Sequence, residues 1–200
     1  DGAKMKYQIA AVAAGLLASA CAVTQPITLA PIAFTDAWYP VRICDQRPTL
    51  TFTVDSHTAV PSAAVTAVYK AAAWWDFHSN IPFFLPSRTD TADIVIQITP
   101  SRPSTASSTA IGRTDSVTAY GCVQFSLIWL SALESLSIPR FESIARHELG
   151  HILGLADRDM TAGADLMSPV LQWDLAKPLE TNASHIGTLR LIYDTRDIFE

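Results

Sequence analysis

Charge is scarce in this sequence. Asp, Glu, Lys and Arg make up 16% of 200 residues, against 49% apolar residues, so the chain has the means to bury a sizeable core. That balance excludes intrinsic disorder over most of its length. The 14 Lys and Arg form no cluster and the net charge is −5. Without a basic patch, nucleic acid is excluded as a partner. Internal repeats are also lacking, and the length suits one domain with an appendage.

The most apolar segment lies near the N-terminus. Lys4 and Lys6 precede an uncharged stretch from Tyr7 to Ala20, whose 14 residues are too few to span a bilayer comfortably but suit the apolar region of a signal peptide. Ala18-Ser19-Ala20-Cys21 offers a small-x-small cleavage site with a cysteine just after it. The same bond resembles that of a bacterial lipoprotein signal, with Ala18 where leucine is usual. The expected organisation is therefore a signal peptide over 1–20, a tether over 21–48 carrying Pro26, Pro31, Pro40 and Pro48, and a folded domain over 49–200. A retained N-terminal anchor helix is the alternative. Export places the protein outside the cell or in the envelope, with Cys21 as the candidate lipid attachment site. Cys44 and Cys122 are then a candidate disulfide pair, the alternative being two buried thiols.

Beyond the tether, periodicity outlines a mixed α/β domain. Leu50 to Asp55 alternates as a half-buried strand does, and Ala92 to Ile98 is apolar enough for a strand interior to a sheet. Between them Pro61 opens an Ala-rich helix running past Trp75 and Phe77, which Asn80 and Pro82 end. Thr99 to Thr109 reads as a loop, and short strands are expected near Ala110–Thr114 and Gly121–Ser126. Helices are expected from about Pro139 or Phe141 to Leu153, and from about Asn182 to Tyr193.

The chemistry is concentrated in His147-Glu-Leu-Gly-His-Ile-Leu-Gly-Leu-Ala-Asp157. Residues four apart share a helix face, so His147 and His151 can aim both rings at one point and begin a zinc site. Glu148 falls beside the metal, where its carboxylate can take a proton from an activated water. Gly154 permits the left-handed turn that stops the helix and brings the chain back. Asp157 is placed to supply a third ligand, with Asp159, Asp165 or water as the alternatives. The flanking Ile144, Leu149, Ile152, Leu153 and Leu155 mark a largely buried helix, on which polar groups need partners.

This segment resembles the metzincin clan of zinc endopeptidases, and within it the matrixin-like and snapalysin-like families. Their pattern HExxHxxGxxH reads here HELGHILGLAD, followed by Asp165-Leu-Met-Ser-Pro169 where metzincins carry a methionine turn. Aspartate in place of the third histidine is similar to snapalysin. Pro61 to Ile98 resembles the first helix and following strand of matrixins, and Ser184 to Tyr193 their C-terminal helix, so the likeness covers about Leu50 to Asp194. It implies an α+β fold: a twisted mixed sheet, an active-site helix, and a C-terminal subdomain with the methionine turn and a terminal helix. It implies one catalytic Zn2+ on His147, His151 and Asp157, with Glu148 as general base and Met167 as an apolar floor that does not ligate. It also implies that a peptide or protein substrate adds along a sheet edge near Ala110–Thr114, with Ser168 to Trp173 forming one pocket wall.

Other residues carry less. Pro169 stands where astacin-like metzincins place a tyrosine, so no tyrosine switch is expected. His57, His78 and His185 are scattered and read as surface or internally satisfied histidines. Asp90, Asp93 and Asp115 are the only suggestion of a Ca2+ site, and they form no liganding pattern. The expected protein is a monomeric zinc endopeptidase, secreted or tethered. The alternatives are a hydrolase of cell-wall peptides and a noncatalytic zinc-containing surface lipoprotein.

Overall fold

The computed structural model describes Ile43 and residues 49–89, 91–101, 110–157, 165–168, 176–180 and 183–194. All belong to one compact unit, Thr35–Glu200. The expected signal peptide, Cys21, Cys44 and all of the expected tether except Ile43 lie outside the described residues. Ile43 is fully buried in the core and donates its N–H to the Tyr193 hydroxyl at 3.2 Å, so at that position the chain packs into the domain instead of tethering it. Among those described, no helix is long and apolar enough to cross a membrane.

The elements run β1 (Leu50–Ser56), α1 (Ser62–Ser79), β2 (Phe84–Pro86), β3 (Ile94–Thr99), β4 (Gly112–Ala119), β5 (Cys122–Ser131), α2 (Ile138–Ile152) and α3 (Ala183–Asp194). The fold is mixed α+β, with a five-stranded sheet in the order β2-β1-β3-β5-β4. Every pairing is parallel except β4 with β5. As Ala92 to Ile98 suggested, β3 is interior, and Ile94, Ile96 and Ile98 alternate into the core beside Phe52 and Ile128.

Local chemistry explains the helix limits. Pro61, with φ −60°, leads into α1, and Asn80 ends it at φ 61°, in the left-handed region that asparagine tolerates. The side of α1 carrying Ala64, Ala67, Val68, Ala71 and Trp75 is buried, which lets α1 pack closely against α2. Trp75 joins the two helices by donating its indole N–H to the Arg146 carbonyl at 2.8 Å. On the flank of that pair, Arg146 bonds Glu142 at 2.7 Å and stacks 4.4 Å from the Trp74 ring centre.

Three strand features differ from expectation. β2 has only three residues, one of them a proline, and is too short to show a period. β4 and β5 run on to Ala119 and Ser131, longer than expected. They form a hairpin turning at Tyr120-Gly121, both at positive φ (54° and 76°), as a tight type I′ turn requires. Among the described residues β4 is an edge strand, so one side of its backbone has no described partner in the sheet.

Candidate metal centre

The site is built on α2, at the point where that helix ends. Pro139 lies in its first turn, and its last turn closes in a Schellman arrangement: Gly154 N–H donates to His151 O and Leu155 N–H to Gly150 O, each at 3.0 Å. Gly154 adopts φ 90°, which a residue with a side chain would enter at a cost. The reversal does two things for the site. It turns the Leu155 carbonyl back to accept the His151 Nδ1–H at 2.8 Å, and it returns the chain so that Asp157 faces both histidines.

His147 is oriented from another segment. Its Nδ1–H donates to Leu166 O at 2.9 Å, the residue before Met167. A carbonyl can only accept, so both rings carry their proton on Nδ1 and offer the Nε2 lone pair inward. The Nε2 atoms lie 3.0 Å apart, and Asp157 Oδ1 lies 3.2 Å from that of His147 and 3.5 Å from that of His151. Tetrahedral zinc with bonds near 2.0–2.1 Å separates its ligand atoms by about 3.3 Å, so the three donors fit one ion and leave a fourth position. Among the described residues, this is the one group of three or more His, Cys, Asp or Glu side chains that could hold a metal.

Charge in the triangle is tightly shared. Burial pulls His147 down, but the Asp157 hydrogen bond, the Glu148 charge and the Leu166 carbonyl together raise it above an ordinary histidine. His151 is lowered by burial and by the charge of His147. Asp157 is held below the usual carboxylate range, first by its bond to His147. The two neighbouring imidazoles are thus displaced in opposite directions, His147 toward the charged form and His151 toward the neutral one.

Glu148 is 5% exposed, and burial raises it above an ordinary glutamate while the His147 charge and a hydrogen bond from Thr114 pull the other way. That hydroxyl donates to Glu148 Oε2 at 2.6 Å and also lies 3.1 Å from the Glu148 carbonyl. Gly112, on the same strand, leaves room for the other carboxylate oxygen: a Cβ there would stand 2.5 Å from Oε1.

Met167 is fully buried under the helix. A Cβ on Gly150 would meet its Sδ at 2.7 Å and the Trp75 ring at 3.1 Å, so the glycine between the two histidines makes room for Met167 and Trp75. The turn holding Met167 is closed by Asp165, which accepts the Met167 N–H at 3.0 Å and stands 3.6 Å from the buried His185 of α3.

The structure thus brings together His147, Glu148, His151, Asp157 and Met167. Asp165 closes the turn that holds Met167 and is not part of the His147, His151, Asp157 group, and Asp159 lies outside the described residues. His185 is an internally engaged core histidine, and His78 bonds Trp74 O through Nδ1. Asp93 is committed to Thr51 and Asp115 to Arg113, while Asp90 lies outside the described residues. Of the expected pocket wall only Ser168 is described, and it is buried. Cys122 is disulfide-bonded. Its partner lies outside the described residues, where both other cysteines fall. The contributions of Thr114, Gly112 and Gly150 were not anticipated. Only Gly150 left a signal, as a glycine inside a helix that costs about 1 kcal/mol relative to alanine.

No protein-family model matches this chain, and no curated protein matches it.

Proposed function

We propose that the protein is a zinc-dependent endopeptidase similar to metzincins. One observation carries the reading: two imidazoles and a carboxylate converge within tetrahedral reach of one ion, and a buried carboxylate flanks them on the same helix. A ligand set of two nitrogens and one oxygen suits zinc and leaves a position open for chemistry. Zinc held there would supply Lewis acidity toward a peptide carbonyl and toward water.

The remaining work falls to the chain's own residues. Glu148 takes the proton from the attacking water and returns it to the departing amine, a role suited to a carboxylate whose proton affinity burial has raised. Asp157 compensates the charge of the ion, and the Leu155 and Leu166 carbonyls hold the imidazoles in register. The outer side of β4 receives the substrate as an added strand, next to the base that Thr114 bonds and Gly112 leaves room for. Location follows the same reading: a disulfide at Cys122 suits an oxidising compartment, and export through the N-terminal segment, with or without a lipid on Cys21, supplies it.

The test compares zinc-loaded wild type with Glu148→Ala on casein and on purified cell-wall peptides. Cleavage of casein by wild type alone supports the endopeptidase, and cleavage confined to wall peptides moves the protein to the wall-hydrolase class. Equal rates for the two proteins on both substrates overturn the enzyme reading.

A further inference from the structure

The geometry points to a positioning device for the general base, built from two residues of the edge strand: Thr114 is a positioning residue for Glu148, and Gly112 is the space it requires. The inference rests on the endopeptidase reading and adds to it residues far from the HExxH segment, 34 positions away in the case of Thr114.

Both oxygens of the Glu148 carboxylate are specified by β4. Thr114 Oγ1 donates to Oε2 at 2.6 Å, the shorter of its two contacts with that residue. Oε1 lies so close to the Gly112 backbone that an added Cβ would stand 2.5 Å from it, 3.0 Å from the carboxylate carbon and 2.7 Å from the Ile144 side chain. Any other residue at 112 would therefore push the carboxylate away. A glutamate loses rotamer freedom when fixed in one conformation, and the cradle meets that cost before substrate arrives. Since β4 pairs antiparallel with β5 and packs on α2, one strand would both receive substrate and aim the base. Substrate laid along β4 is thereby referenced to the proton acceptor.

Thr114→Val keeps the shape and removes the donor, Thr114→Ser restores the donor, and Gly112→Ala fills the space. With zinc-loaded protein, Thr114→Val is expected to lower kcat on the order of 10-fold with KM within about twofold, and Thr114→Ser to recover most of the loss. Gly112→Ala should also lower kcat. In a Glu148→Ala background, Thr114→Val should change the residual rate no further, because no carboxylate is left to aim. Zinc affinity, measured against a competing chelator, should match wild type, and a crystal structure of zinc-loaded Thr114→Val should show the carboxylate displaced from β4. An unchanged kcat, a serine variant as impaired as valine, a further fall in the Glu148→Ala background, or a parallel loss of zinc would each overturn the proposal. Should wild type cut peptides no faster than Glu148→Ala, the endopeptidase reading fails by itself. The carboxylate position in the Thr114→Val crystal then decides the cradle separately: displacement sustains it and an unmoved carboxylate overturns it.

Discussion

His147 and His151 face each other through Nε2 atoms 3.0 Å apart, while each Nδ1 is committed to a main-chain carbonyl. Two neutral imidazoles in these tautomers present lone pairs to the same point, an arrangement that a cation relieves and Asp157 completes. Removing the third donor should therefore be felt at the metal. Asp157→Ala is expected to weaken zinc binding by at least about 100-fold in a chelator competition, whereas Asp159→Ala should leave it near wild type. Equal retention by both variants would remove Asp157 from the ligand set.

Zinc held by the folded triangle would also act on stability, since the unfolded chain offers no such triangle. At a free concentration 100 times the dissociation constant the gain is about 2.7 kcal/mol. Calorimetry of metal-free protein titrated with zinc should show a melting temperature that rises by several degrees. His147→Ala should abolish the rise, and an equal rise in that variant would place the ion elsewhere.

Gly150→Ala tests the floor. The new methyl would meet Met167 Sδ and the Trp75 ring well inside contact distance, in a fully packed region. A destabilisation of about 1–3 kcal/mol is expected in urea unfolding. Pairing it with Met167→Ala should recover part of that penalty, since the shortened side chain vacates the collision. Strict additivity of the two changes would mean that the residues do not touch.

Asp76 supplies a pH signature. Burial raises it from 3.8 to about 6, against the pull of the Phe83 and Phe84 N–H groups it accepts. A carboxyl whose folded value exceeds its unfolded value contributes stability below pH 3.8 and loses it as pH rises through 6. The stability difference between wild type and Asp76→Asn should accordingly shift against wild type between pH 4 and 6.5. Urea midpoints of the two proteins across that range measure it, and a flat difference would show that Asp76 titrates normally.

What could be read in the residues depended on whether a side chain announced it. Pro61 and Asn80 bracket α1 because each has a backbone preference of its own, and the nearly continuous apolar run from Ala92 to Ile98 marks an interior strand. β4 was foreshortened because Arg113 to Thr118 is largely polar and exposed, so an edge strand carried no apolar period past Thr114. In the site, the four-residue interval of the histidines and the neighbouring glutamate were legible, and the structure brings them together with Asp157. The carbonyls of Leu155 and Leu166 were not, since a main-chain oxygen is the same at every residue and only the fold decides where it points. Thr114 was hidden for a related reason: a threonine in a strand is ordinary until a helix from later in the chain is laid against it.

The turn after α2 sets a strict length. Gly154 and Leu155 close the helix through their amides, and the carbonyl of the same Leu155 steadies the His151 ring. One residue inserted or deleted between His151 and Leu155 would unseat the ring and fray the helix in a single step. Natural variation in this stretch should therefore swap residues and never change their number.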